Sequence, residues 1–243
     1  MKTLGIVAHS AEGGALCFIT ACREGGARLG AHMHPEIVLS AIPMAWSMPG
    51  WESGDLDAVG VFLRRGVERV ADAGAAFFVC PDNTAHIVLE RIAPTLPIPG
   101  LHIAEVVCER IAAEGWTKVG LLGTEWTMTG PVYERALASR GMERLIPEKP
   151  VRDVLHGAIF EELCRGVFRE STTEKYVEAI RGLEARGAEC VVLGCTEIPL
   201  IITGENSPLP VLDSTRLLAT RAVSVAIDER PVSVTGGWLT LET

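Results

Sequence analysis

At 243 residues the chain is long for one compact domain and comfortable for two small ones. Hydrophobic residues make up 48% and aromatic residues 5%, and this aliphatic bias suits buried parallel strands covered by helices. A net charge of −9 argues against nucleic acid or an anionic membrane as the main partner. It leaves room for a small anionic ligand, which local backbone N–H groups can hold whatever the net charge.

The seven cysteines form no framework spacing and no CxxC, and the histidines do not flank them at zinc spacing. His32 and His34 lack carboxylates at ligand spacing, so no metal is expected. The thiols read as reduced, the N-terminus opens into a strand without a signal-peptide core, and no apolar run reaches spanning length. A cytoplasmic protein with no membrane partner is expected.

In chain order, Leu4–Ala8 reads as a buried strand, followed by the loop His9-Ser10 and a helix from about Glu12 to Ala27, ending near Gly30. A strand over Glu36–Ile42 leads to a Pro-, Trp-, Met- and Gly-rich loop over Pro43–Ser53. Asp55–Ala73 has helical periodicity, Ala75–Cys80 is an apolar strand, and a helix over Asn83–Ile92 precedes the break at Pro94, Pro97 and Pro99. A second series has helices over Ile103–Glu114, Met128–Arg140, Asp153–Phe168, Thr173–Arg186 and Thr215–Ile227. Its strands fall at Lys118–Leu122, Glu143–Ile146, Glu189–Leu193 and Pro210–Leu212, with a short helix near Ile198–Ile202. The tail over Pro231–Thr243 carries no clear signal. Strands alternating with helices predict an α/β fold of parallel sheets flanked by helices.

An internal repeat organises these elements. Gly74-Ala75, an apolar strand and Asp82-Asn83-Thr84 match Gly187-Ala188, an apolar strand and Cys195-Thr196-Glu197 without a gap. Asp82 and Cys195 therefore hold equivalent places just past a strand, at an offset of 113 residues. The openings repeat too, with Gly5 matching Gly120 at an offset of 115. The expectation is two pseudo-symmetric lobes, residues 1–97 with 212–243 and residues 98–211. Ligands of open α/β sheets sit beyond the carboxyl ends of the strands. Asp82 and Cys195 would then meet a ligand from opposite sides of a cleft between the lobes, as inversion at a carbon requires.

These residues resemble the aspartate/glutamate racemase superfamily, which includes hydantoin racemase, maleate isomerase and arylmalonate decarboxylase. Its Cys-Asn-Thr-Ala-His signature stands here as Asp82-Asn83-Thr84-Ala85-His86, and its Gly-Cys-Thr-Glu as Gly194-Cys195-Thr196-Glu197. A Gly-Thr-x-x-Thr stretch lies between them at Gly123-Thr124-Glu125-Trp126-Thr127. The resemblance covers most of the chain. It implies two α/β lobes, no pyridoxal phosphate, no metal, a small carboxylate substrate and a homodimer. Two departures stand out: Asp82 replaces the first catalytic Cys, and the first loop reads His9-Ser10-Ala11-Glu12-Gly13-Gly14 instead of Gly-Gly-Met-Gly.

By family position, Asp82 and Cys195 are the catalytic pair, and Ser10, Asn83, Thr84, Thr124, Thr127, Thr196 and Glu197 would bind the substrate. Their donors would stabilise an enediolate-like state, helped by backbone N–H groups at helix starts after Asp82 and Cys195. His86 and His9 would tune the pair. Asp82 also fits a helix N-cap, and Glu197 a first-turn acid. With ordinary pKa values near 3.9 and 8.5, the resting pair is Asp82 carboxylate and Cys195 thiol, and the swapped state lies roughly 6 kcal/mol uphill. Three functions follow: a racemase of an acidic amino acid; a decarboxylase of the arylmalonate type or a maleate isomerase-like enzyme using Cys195 alone; and a carboxylate-binding protein without turnover.

Overall fold

A computed structural model describes residues 1–228 and 233–240. The chain forms two compact units, Met1–Val106 with Thr215–Thr243, and Val107–Ser214.

The first unit begins with strand β1 (Leu4–Ala8) and helix α1 (Ala11–Leu29), then β2 (Ile37–Ala41), α2 (Met48–Ser53), α3 (Leu56–Asp72), β3 (Phe77–Val79), α4 (His86–Ile92) and β4 (Gly100–Leu101). The chain crosses into the second unit within α5 (Ile103–Glu114). There follow β5 (Lys118–Gly123), α6 (Glu125–Thr129), α7 (Pro131–Ala138), β6 (Glu143–Leu145), α8 (Lys149–Glu161), α9 (Glu170–Ala185), β7 (Cys190–Gly194) and β8 (Val211–Asp213). It returns through α10 (Ser214–Ile227) to β9 (Ser233–Thr235) and β10 (Trp238–Thr240). The division falls later at the first crossing than the proline-rich break suggests, because Gly100–Leu101 pairs with β3. It falls later at the second because Val211–Asp213 pairs with β7.

The sheet orders carry the repeat. One sheet runs β2-β1-β3-β4-β10-β9 and the other β6-β5-β7-β8, so the first four strands of each unit follow the same order. All pairings within these two sets of four are parallel. Backbone details repeat as well. Gly74 ends α3 at φ 93° and Gly187 follows α9 at φ 92°, a left-handed geometry that glycine adopts without a Cβ penalty. Each turn is closed the same way: Ala75 N–H donates to Val70 O, and Ala188 N–H to Leu183 O, both at 3.0 Å. Val70 and Leu183 are also the side chains that lie over the paired strand glycines. A Cβ on Gly5 would come 2.8 Å from Val70 Cγ2, and one on Gly120 3.1 Å from Leu183 Cδ1. The glycines let α3 and α9 lie close on β1 and β5, so the spacing seen in sequence is a packing requirement of each unit.

The cores follow from the central strands β1, β3, β5 and β7, buried throughout except at Lys118, which opens β5. In the first unit Leu4, Ile6, Phe77, Val79 and Leu101 pack with Cys17 and Ala21 of α1 and Leu218, Ala222 and Val223 of α10. In the second, Leu122, Val191 and Leu193 pack with Leu155 and Ile159 of α8 and Tyr176, Ile180 and Leu183 of α9.

The structure corrects several expected elements. The segment read as a loop over Pro43–Ser53 holds a 3-10 turn (Met44–Trp46) and α2, and its Trp51 is buried while Trp46 is 49% exposed. The expected helix Met128–Arg140 is two helices, parted where Gly130 precedes Pro131 at the start of α7. The helix placed at Asp153–Phe168 starts earlier, with Pro150 in its first turn, and stops at Glu161. The sheet of the first unit is not wholly parallel, since β9 runs antiparallel to β10. The expected helix starts directly after Asp82 and Cys195 are absent. Turns follow both residues, and the next elements are the seven-residue α4 and a three-residue 3-10 turn over Ile198–Leu200.

Candidate active site

In the first unit the chain passes from β1 outward to β2, then returns to place β3 on the other side of β1. The carboxyl ends of β1 and β3 are thus a topological switch point, where open α/β sheets bind ligands. His9 follows β1 directly, and Asp82 follows β3 by three residues. The two meet: His9 Nδ1 lies 2.6 Å from Asp82 Oδ2. The other ring nitrogen, Nε2, lies 2.7 Å from Ser47 Oγ. Ser47 itself donates to Met44 O at 2.9 Å. The second carboxylate oxygen, Asp82 Oδ1, accepts from Ala85 N–H at 3.1 Å, which caps the following turn. Burial alone would raise the Asp82 pKa, but the hydrogen bond and charge of His9, with the Ala85 N–H, outweigh it and hold the carboxyl below its ordinary value.

Ser10 caps α1 by accepting from Gly13 N–H at 3.1 Å. Asn83 is buried and Thr84 half-buried, both in the turn after Asp82. His86 touches the backbone of Asp82 and not its carboxylate: its Nδ1 donates to Asp82 O at 2.8 Å. Its Nε2 accepts from Ile103 N–H at 3.3 Å. Trp238 stacks on the ring at 5.7 Å and His102 meets it edge-on at 4.7 Å. Burial, and then the neighbouring His102, push the His86 pKa down to about 3, so its ring is neutral.

The second unit has its own switch point between β5 and β7, with β6 on the far side of β5. Thr124 follows β5 and caps α6, accepting from Thr127 N–H at 3.1 Å. Its hydroxyl donates to Thr127 Oγ1 at 3.2 Å. Two facing glycines make room for this turn. A Cβ on Gly123 would lie 3.0 Å from Gly194 O, and one on Gly194 3.1 Å from Thr127 Cγ2. Cys195 follows β7, half-buried, and its Sγ–H donates to Glu197 Oε2 at 2.8 Å. Burial, the Glu197 charge and this hydrogen bond push the thiol well above its ordinary pKa, with a smaller push from Cys164. Thr196 and Glu197 are both buried.

Each unit thus gathers its own expected residues at its own switch point: His9, Ser10, Asp82, Asn83 and Thr84 in the first, and Thr124, Thr127, Cys195, Thr196 and Glu197 in the second. Sequence reasoning missed Ser47, which touches His9 across 38 residues. The available signal was a Ser two residues before Pro49, the pattern of a helix start. It also missed the ring contacts Trp126–His156 at 5.2 Å and His156–Phe160 at 5.1 Å, beside Thr127. The i,i+4 spacing of His156 and Phe160 on α8 was the readable sign. Among the described residues no three His, Cys, Asp or Glu side chains cluster so as to hold a metal ion, and no helix is long and apolar enough to cross a membrane.

Comparison with known proteins agrees with this geometry. The family model described as Asp/Glu/Hydantoin racemase matches residues 16–222. The chain belongs to this family. It is 25% identical to the broad specificity amino-acid racemase RacX of Bacillus subtilis over 177 residues, 70% of this chain and 73% of that one. Among solved structures, it is similar to a Yersinia pestis protein assigned to the Asp/Glu racemases, at 30% identity, TM-score 0.86, covering 94% of this chain and all of that one. It is also similar to an aspartate racemase homologue from Pyrococcus horikoshii, at 27% identity, TM-score 0.79 and the same coverage. The α/β fold of parallel sheets flanked by helices is the fold of these racemase structures. Racemases are isomerases, and as a member of their family the chain is an enzyme of that class.

Proposed function

We propose that the chain is a cofactor-independent racemase or epimerase that moves the α-proton of a small carboxylate substrate, aspartate or glutamate first among candidates. Asp82 and Cys195 are the acid/base pair. The observation that carries this reading is that each stands at the switch point of its own sheet, with a partner that sets its protonation: His9 for Asp82 and Glu197 for Cys195. Without an electron sink the developing enediolate needs fixed donors. Asn83 and Thr84 would supply them in the first unit with Ser10, and Thr124, Thr127 and Thr196 in the second.

The same partners favour a second reading. Burial and then Glu197 raise the Cys195 pKa, and His9 holds that of Asp82 down against its own burial, so the swapped state lies further uphill than the roughly 6 kcal/mol set by ordinary values. A neutral thiol that only donates suits an enediolate made by loss of carboxylate. That is decarboxylation of a substituted malonate, with Cys195 delivering the proton and Asp82 orienting the substrate.

Proton NMR in D2O at neutral pH separates these readings, using both enantiomers of aspartate, glutamate and several neutral amino acids, and substituted malonates. Deuterium at Cα with loss of optical rotation is the expected result. Loss of a malonate carboxyl with deuterium in the product moves the assignment to a lyase. Binding with no exchange across the panel leaves a carboxylate-binding protein.

We also propose a homodimer, supported by the exposed Trp46, which packs at 6.1 Å on Phe62 in the first unit. Light scattering is expected to give twice the 26.0 kDa chain mass, and a single-chain mass overturns it. Seven cysteines present as thiols support a cytoplasmic location.

A further inference from the structure

The hydrogen bonds around His9 hold its ring at both ends. A carboxylate only accepts, so His9 Nδ1 carries the proton in its 2.6 Å contact with Asp82 Oδ2. The other nitrogen, Nε2, meets Ser47 Oγ at 2.7 Å, and that hydroxyl itself lies 2.9 Å from Met44 O. The His9 side chain is 3% exposed and that of Asp82 15%, so the pair is largely shielded from water. A hydrogen bond shielded in this way holds its geometry well.

We propose that Ser47 and His9 are positioning residues for Asp82: Ser47 fixes the His9 ring from its far side, and the ring's Nδ1–H holds the Asp82 carboxylate oriented as the proton acceptor. The proposal rests on the assignment of Asp82 as an acid/base group. In the step concerned, the Cα–H bond breaks, its electron pair stays on the substrate, and the proton goes to the Asp82 carboxylate. The Nδ1–H bond from His9 keeps the receiving carboxylate oriented through this step. The segment that supplies this clamp is the turn Met44–Trp46 and the start of α2, where Ser47 stands as N-cap without a cap bond from its side chain. Its hydroxyl is thus spent on the His9 chain rather than on the helix.

The other groups facing Asp82 are His86, whose neutral ring holds the Asp82 carbonyl, and the buried Cys80 thiol, raised chiefly by its own burial. The carboxylate oxygens themselves meet His9 and Ala85.

The test follows the Asp82 carboxyl itself by 13C NMR, in protein labelled at aspartate, across an acid titration. His9→Gln is expected to move the Asp82 midpoint up by about one pH unit or more, the usual effect of losing the hydrogen bond and charge that hold it down. Ser47→Ala is expected to move it up by less. An unmoved midpoint in His9→Gln overturns the proposal, and an unmoved midpoint in Ser47→Ala overturns the part given to Ser47. The 15N spectrum of His9 is expected to show a protonated Nδ1, and a bare Nδ1 overturns the proposal. These readouts need no turnover, so they stand even where the racemase reading fails. With a substrate in hand, the acid limb of kcat/KM is expected to rise with the carboxyl midpoint. A variant that loses activity at every pH with its midpoint and acid limb unmoved shows a role in folding alone, and overturns the proposal.

Discussion

Cys195→Ser is expected to slow Cα proton exchange by about 10²–10⁴-fold, the usual contribution of a positioned acid/base group. The change replaces one atom on a half-buried side chain, and the strand end, the Gly123–Gly194 contact and the Thr124 cap do not depend on it. What changes is the proton. The thiol donates to Glu197 at 2.8 Å and sits well above its ordinary pKa, yet it is still far more acidic than a serine hydroxyl in the same place. Glu197→Gln separates the acid from its partner. It removes the negative charge that presses on the thiol, so the Cys195 pKa falls and alkylation by iodoacetamide at pH 8 quickens. Deuterium wash-in at Cα measures the first variant. Asp82→Asn, compared with it, divides the two chemistries: loss of exchange in both is the two-base racemase, and loss in Cys195→Ser alone is one-thiol protonation. Full exchange in Cys195→Ser removes the residue from the mechanism.

What the sequence made legible was local or repeated. The strands over Ala75–Cys80 and Glu189–Leu193 are visible because buried parallel strands have no polar face. The places of Asp82 and Cys195 after them follow from counting from Gly74 and Gly187, whose left-handed conformations anchor the count. The common order of four strands in the two sheets accounts for the offsets of 113 and 115. What was not legible depends on pairs distant in sequence. No local pattern tells that Ser47 reaches His9, or that His86 finds Ile103 N–H and Trp238. The segment holding Ser47 was read as a loop because Pro49, Gly50 and two Trp residues obscure a single helical turn and a half. The tail strands β9 and β10 were missed because a three-residue strand has too few positions to show alternation. The part of the tail at Pro231, Val232 and 241–243 lies outside the described residues.

His86 gives the largest expected effect on stability. Its folded pKa is about 3 against an ordinary 6.5, so folding favours the neutral ring. For a depressed pKa the contribution is complete above pH 6.5 and is lost as the pH falls towards about 3. Over that window it amounts to roughly 4 to 5 kcal/mol, a large share of the stability of an ordinary domain. The cause is structural: protonating Nε2 sets it against the Ile103 N–H that it accepts, in a pocket closed by His102 and Trp238. Denaturant unfolding at pH 7, 5 and 3.5 measures the loss, and His86→Gln isolates it. The variant is expected to be weaker at pH 7 by about 1 to 3 kcal/mol, since Asp82 O or Ile103 N–H loses a well-placed partner. It is also expected to lose much less stability on acidification, so the two proteins converge at low pH. Carboxylates such as Asp82 weaken both proteins alike below their ordinary range, and the difference between the curves belongs to His86. Parallel curves would mean that the ring takes its proton without cost, and that the backbone of Asp82 is held by something other than a neutral histidine.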